Sequence, residues 1–336
     1  MNTQRLMSLQ ARTGAALSAF SPRSVPALRK STGLFACAGL WLVMGVISPG
    51  FATSDNLANI VSQSAVLLLL ALGQMLVVVT RGFDISVGAV AVLSSIVIAQ
   101  TVAQFGEVPA ILLGMGAGLA VGLCNGYLIA CRRMEPIVVT LGATLIVRGI
   151  STIVSGGVDA VPLPPGTVIQ SLAYAAWLGV PAMVWLAAPV AALAWLLCAR
   201  LPLGRWFYMI GSHPDAALLV GVPVRTAGVL AYGLCGALAG LAAVFLLARS
   251  GAAVAVDGAG MELQAIAACV IGGVALSGGK GAVWQVMVGT LFIQALLNGL
   301  NLLGTSPFAS EIVLGAVIVS AGLLEYLMRR VGSRQG

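Results

Sequence analysis

Charge is scarce in this chain. Of its 336 residues only 8% are charged, ten are acidic and one is a histidine, His213. A single histidine cannot supply a ligand set or a serine–histidine constellation, which excludes a histidine-rich metal centre and an intramembrane hydrolase of that kind. The six cysteines (Cys37, Cys124, Cys131, Cys198, Cys235 and Cys269) fall within or at the edges of apolar runs with no C-x-x-C spacing. They read as buried free thiols, so neither a disulfide framework nor a metal site is expected. No cofactor is expected either. Aromatics make up 6% of the chain and do not interleave with basic clusters, which argues against nucleic-acid binding.

What the chain has in excess is hydrocarbon. Hydrophobic residues make up 60% of it and the mean hydropathy is +1.05, far above a soluble domain. The expected fold class is all-α, a polytopic membrane protein. Apolar segments that approach the length needed to cross about 30 Å run over 34–48, 60–80, 85–104, 108–131, 136–154, 180–198, 227–247, 262–277, 282–303 and 309–328. The first and eighth are short for a span. All but two of the 17 basic residues, Arg148 and Arg249, map to tails or turns on one side if the amino terminus starts there. By the retention of basic loops in the cytoplasm, about ten spans with both termini cytoplasmic are self-consistent. The net charge of +7 then reflects topology and attraction to an anionic leaflet.

Residues 1–32 are basic and free of acidic side chains, and they lead into the apolar Gly33–Ser48 stretch. A signal peptide is the rival reading. The arm is too long for an n-region and Pro49-Gly50-Phe51-Ala52-Thr53 offers no clear small-x-small cleavage site, so a flexible tail followed by a retained helix is expected. The domain plan is a tail over 1–32, a transmembrane domain over 33–330 and a short tail over 331–336.

One carboxylate stands out. Asp84 lies in Gly82-Phe83-Asp84-Ile85-Ser86-Val87-Gly88, wedged between two long apolar runs. An ionisable group at such a place is by default a functional hypothesis. Gly82 and Gly88 let the backbone leave helical geometry, which a membrane tolerates only where freed amides face protein or water. The alternative is structural: Asp84 pairs with Arg81 or caps the helix that starts near Ser86.

Two loops are long. Ser155–Gly179 carries Pro162, Pro164 and Pro165 and no basic residue, and is expected to hold a surface helix from about Thr167 to Trp177. The 199–226 segment lies on the basic side. In it Ser212 reads as an N-cap, His213-Pro214 as a helix start, Asp215 as a first-turn charge and Gly221 as the stop. So short a helix is marginal alone, and Leu218, Leu219 and Val220 suit a groove on a soluble partner. An ordinary loop resting on the bundle is the alternative. Leu276-Ser277-Gly278-Gly279-Lys280 superficially resembles an ATPase loop, but a phosphate loop needs glycine at position 274 and a hydroxyl residue at 281, where this chain has Val274 and Gly281. It is expected to be a tight turn between spans. Val77–Gly82 before Asp84 is echoed by Leu246–Gly251 before Asp257, on the opposite face, which suggests inverted-repeat halves.

From about Phe51 to Arg330 the chain resembles the membrane permeases of ribose-type ABC sugar importers, a group that includes xylose, arabinose, galactofuranose and autoinducer-2 permeases. The resemblance rests on the Gly82–Gly88 motif, Asn125-Gly126, Pro136–Gly142 with Arg148-Gly149, Leu203-Gly204-Arg205, Glu262–Gly273, Ser277–Gly281 and Asn298–Gly304, in that order. It implies a transmembrane pore subunit rather than an enzyme, paired as a homodimer or heterodimer, with cytoplasmic ABC ATPase subunits and a periplasmic sugar-binding protein. A neutral, hydroxyl-rich cargo needs acceptors and dual donor–acceptors along its path. The substrate-pathway residues expected are Asp84, Ser86, Gly82, Gly88, Asn125, Thr140 and Asn298, although helix-to-helix bonding is the competing reading for Asn125 and Asn298. The ATPase-docking residues expected are Gly204, Arg205, Asp215, Ala216, Ala217, Leu218 and Gly221. Here the chain departs from the family pattern: Ser212-His213 replaces Gly-Asn, Leu218 an arginine and Val220 a serine. Arg148 is expected to pair with Asp159, and Arg249 with Asp257 or Glu262. A branched-chain amino acid ABC permease and an ion-coupled secondary transporter are the alternatives, the second disfavoured by the rarity of carboxylates within spans. A non-transporting scaffold would not need the glycine breaks.

Overall fold

A computed structural model of the chain describes residues 24–255 and 258–333, with side chains described within 33–323. The helices in order are α1 (Ser24–Ile47), α2 (Ser54–Val79), α3 (Val87–Phe105), α4 (Glu107–Gly126, continued by a π turn over Tyr127–Cys131) and α5 (Pro136–Val154). After a loop come α6 (Val168–Ser171), α7 (Ala182–Arg200), α8 (Pro202–Ser212), α9 (Pro214–Leu219), α10 (Val224–Ser250), α11 (Met261–Gly272), α12 (Val283–Leu302) and α13 (Pro307–Ser333). Four short strands, β1 (Ala160–Pro162), β2 (Ala176–Trp177), β3 (Val180–Pro181) and β4 (Ala252–Val254), form the antiparallel pairs β1–β4 and β2–β3. Among the described residues seven helices are long and apolar enough to cross a membrane, and Gly33–Ile47, Met261–Gly272 and Pro307–Leu323 are shorter apolar helices. Together they coincide with the ten apolar segments of the sequence, and the protein is an all-α polytopic membrane protein.

Four features differ from expectation. The first helix begins at Ser24, ahead of the apolar run, and the last runs to Ser333, past the predicted tail boundary. The eighth segment is not a full span: α11 has 12 residues, about 18 Å of helix. Ahead of it lie β4 and a turn at 258–260. In the long loop the predicted helix over 167–177 shrinks to α6, capped by the Thr167 hydroxyl, because the chain then reverses through Leu178 (φ +54°) and Gly179 (φ +76°) into the β2–β3 pair.

The core is built on α2 and α10, which pack together. Every residue of α2 from 64 to 79 is buried, as an all-round apolar helix requires. Around this pair the packing is equivalent in two halves: α2 lies against α11 and α12, as α10 lies against α3 and α4. Gly88, in the first break, and Gly258, in the second, meet. A Cβ on Gly88 would stand 2.4 Å from the Gly258 carbonyl oxygen, and one on Gly258 would stand 2.5 Å from that of Gly88.

The α4–α10 seam is a stripe of small residues. Gly114, Gly118, Gly122 and Gly126 recur every four residues on α4, and a Cβ on Gly118 would come within 2.3 Å of the Gly236 carbonyl oxygen while one on Gly236 would come within 2.1 Å of that of Gly118. Lipid offers no hydrophobic drive to join helices, so close backbone approach supplies the dispersion contact instead. This spacing was present in the sequence and is the signal for the seam.

Candidate functional site: two breaks and a docking surface

The first break is a closed knot of hydrogen bonds. Asp84 is buried, and one carboxylate oxygen accepts from the Ser86 backbone N–H (2.9 Å) and the Ser86 hydroxyl (2.6 Å). The Asn125 carboxamide on α4 donates to the Ser86 hydroxyl at 3.0 Å. With its carboxamide turned to satisfy both ends, Gln74 of α2 pairs with the Asp84 backbone carbonyl (3.0 Å) and N–H (3.3 Å). Tyr232 of α10 donates to the Phe83 carbonyl at 3.3 Å, and a Cβ on Gly82 would lie 2.4 Å from the Tyr232 hydroxyl. The main chain thus leaves α2, turns back beside it, and is held by α2, α4 and α10. Of the two structural options for Asp84, capping near Ser86 is the one formed. Arg81 goes elsewhere.

Gly82, Asp84, Ser86, Gly88 and Asn125 are therefore brought together. Thr140 and Asn298 are not. The Thr140 hydroxyl donates to Pro136 O within α5, and Asn298 of α12 makes a reciprocal carboxamide pair with Asn56 of α2, both bonds 2.9 Å. That pair joins two helices, the competing reading for Asn298. The expected Arg148–Asp159 ion pair is not made among the described residues, and Asp257 lies outside them.

The second break is less satisfied. Glu262 is 9% exposed and turns to the start of α3, where its Oε2 would lie 2.5 Å from a Cβ on Gly88. That oxygen has no hydrogen-bond partner among the described residues, while Oε1 accepts a long bond of 3.4 Å from Gly260 N–H. Glu262 therefore faces the bundle interior.

Arg81 ties the first break to the 199–226 segment. It stands at φ +68°, and its guanidinium donates to Gly211 O (2.7 Å) and Ser212 O (2.8 Å), the last carbonyls of α8. A cation at a helix C-terminus is also favoured by the helix dipole. Beside it Gly279 N–H donates to Val79 O at 2.9 Å, and the Tyr208 hydroxyl donates to Gly281 O at 2.9 Å. Burial, with the Cys198 thiol alongside, pushes the Tyr208 phenol up, so it stays a donor. The Ser277–Gly281 turn is thus a structural brace, as its sequence context implies.

Ser212 closes α8 and His213 is the N-cap of α9, one residue later than expected, with no side-chain cap bond. Helix α8 lay unrecognised in the sequence although Gly204, Phe207, Ile210 and Gly211, its buried face, recur at helical spacing. Gly204 and Ala217 are anchors: a Cβ on Gly204 would meet Leu197 O at 2.1 Å, and Ala217 is buried. Arg205, Asp215, Ala216, Leu218, Leu219, Val220 and Gly221 are exposed. At the other end of the bundle, Glu107 accepts from Val168 N–H (2.6 Å) and Ile169 N–H (2.9 Å), latching α6 to α4. A lone glutamate opening a span was its only sequence signal.

Residues 56–322 match the family described as branched-chain amino acid transport system / permease component. The chain belongs to this permease family. It is 35% identical over 305 residues to the ribose import permease protein RbsC of Escherichia coli strain K12, covering 89% of this chain and 94% of that protein. It is 36% identical over 287 residues to the ribose import permease protein RbsC of Bacillus subtilis strain 168, with 85% and 89% covered. The D-allose transport system permease protein AlsC of Escherichia coli strain K12 is 33% identical over 291 residues, with 86% and 89% covered. No solved structure matches the chain. The chain is thus a permease of the ribose-type ABC group, as its ordered motifs imply.

Proposed function

We propose that this chain is the pore subunit of an ATP-driven importer that moves a monosaccharide, delivered by a periplasmic binding protein, across the bacterial inner membrane. Separate ABC ATPase subunits energise it, and a second permease copy, identical or not, completes the pore. The observation that carries this reading is identity of 33–36% to permeases named for ribose and allose over most of both chains. The turns carrying Arg81, Arg205 and Lys280 face the cytoplasm in this reading, by the retention of basic residues there. The exposed 215–221 surface, with Leu218 and Leu219, seats an ATPase groove, while Gly204 and Ala217 hold the docking helices to the bundle. The 82–88 break forms a fixed wall of the path: Asp84, Ser86 and Asn125 hold its shape, and Gly82 and Gly88 let helices approach.

The family description favours a second reading, a branched-chain amino acid permease. Uptake into vesicles holding this chain with its ATPase and binding-protein partners separates the two, using radiolabelled pentoses, hexoses and leucine. Sugar accumulation that requires ATP and the binding protein is expected. Gly221→Pro, which proline's fixed φ near −65° forbids at the observed +80°, is expected to lower uptake at least tenfold with membrane insertion intact. Accumulation of leucine alone, or uptake driven by an ion gradient without an ATPase, would overturn the sugar-importer reading.

A further inference from the structure

A cleft opens between α2, α10, α11 and α12, in the half of the bundle away from the Arg81, Arg205 and Lys280 turns. Its polar lining is Gln63, Arg249, Gln264 and Gln294, set against apolar walls such as Leu70 and Met261. Its volume is about 20 Å³, enough for about one water. Gln294 is only 8% exposed, and neither its carboxamide nor that of Gln264 makes a hydrogen bond to another described residue. Gln63 reaches only Asn59, one turn away on its own helix, at 2.9 Å.

Polar side chains inside a membrane bundle have two ordinary uses: bonding helix to helix, and facing a wet or substrate-bearing path. Inter-helix bonding is what Asn56–Asn298 does, and Gln264 and Gln294 do not do it. Lipid contact does not describe Gln294 either, since it is almost fully buried. Each carboxamide offers a donor pair and an acceptor. A space that fits one water among such groups also fits a hydroxyl, which donates and accepts as water does. The cleft adjoins the less satisfied of the two breaks, that of Glu262, where packing leaves polar groups available.

We propose that Gln294, Gln264 and Gln63 form a hydroxyl-binding stretch of the substrate path, in the half entered before the 82–88 break. The inference rests on the sugar-importer reading for its cargo but not for its location. The stretch holds about one water and not a whole monosaccharide, so the carboxamides exchange water for sugar hydroxyls one at a time.

Two measurements test it on the full chain. In vesicles with the ATPase and binding-protein partners, Gln294→Leu and Gln264→Leu are each expected to lower sugar uptake at least tenfold, with binding-protein-stimulated ATP hydrolysis within twofold of the parent. Gln285→Leu, at a buried glutamine in the first turn of α12 and outside the cleft, serves as the control and keeps uptake within twofold. Separately, Gln294→Cys and Gln264→Cys are treated in right-side-out vesicles with a charged, membrane-impermeant methanethiosulfonate, with Leu193→Cys on the exposed face of α7 as the lipid-facing comparison. Labelling well above Leu193→Cys is expected. Labelling no greater than that comparison overturns the proposal, whether lipid or a second copy covers the cleft. Normal sugar uptake in both leucine variants also overturns it, leaving a wet crevice that the cargo does not use. If the parent takes up no sugar but the cysteines label, the path stands and the cargo reading falls.

Discussion

The two breaks make the same departure from helix and differ in how completely it is satisfied. At the first, a carboxylate, a hydroxyl, two carboxamides and a phenol account for the turn from Gly82 to Ser86. At the second, one buried oxygen of Glu262 has no partner among the described residues. A buried polar group left unpaired costs about 1–3 kcal/mol, so the first break is a fixed fitting and the second stores unsatisfied capacity. Of two breaks that touch, one is rigid and the other receptive.

The contact shared by both breaks is the most sensitive point. Gly88→Leu and Gly258→Leu each force backbone apart, and both are expected to eliminate monodisperse protein on size-exclusion chromatography in detergent, to a similar extent because the contact is reciprocal. A well-folded Gly258→Leu beside a lost Gly88→Leu would show that the halves do not share the contact equally. Next in size is Asp84→Ala, which removes the acceptor of two hydrogen bonds and is expected to cost about 2–3 kcal/mol, seen as a fall of several degrees in thermal midpoint. Glu262→Gln, at the matching break, is expected to leave that midpoint unchanged or raise it, because it removes a poorly paired buried charge. Equal losses in both would erase the distinction drawn above.

Arg81→Ala should cost about 1–2 kcal/mol, since two bonds to α8 carbonyls disappear while a left-handed conformation is kept. Arg81→Gly loses the same bonds but relieves that conformation, and is expected to be the more stable of the two by about 1 kcal/mol. The order of their thermal midpoints checks this. The smallest effect is expected at Asn298→Leu, where one inter-helix carboxamide pair is lost at about 0.6 kcal/mol. A larger loss would make the Asn56–Asn298 pair a structural centre in its own right.

The apolar segments were legible in the sequence because twenty-odd residues without charge have few other homes, and the glycines around Asp84 marked the first break. The local cap from Asp84 to Ser86 was among the options because it spans two residues. The choice against Arg81 was not legible, since it depends on carbonyls of α8 that lie 130 residues away. Distance also hid the pairing of Asn56 with Asn298, 242 residues apart. The half-length of α11 was hinted at by a short apolar run. That Gly258, ahead of α11, meets Gly88 follows only from three-dimensional closure. The polar cleft was unread for a different reason: isolated glutamines carry no spacing signature, and their significance lies in what they fail to bond.

The two bonds from Arg81 to the end of α8 make the exposed surface and the membrane interior parts of one lever. Residue 81 belongs to the chain that enters the first break three positions later, so whatever tilts α8 displaces the entrance to that break. A stiff linkage of this kind transmits position without amplifying it. In the proposed reading, where an ATPase seats on residues 215–221, the length of its stroke is set by that partner, and the permease contributes direction.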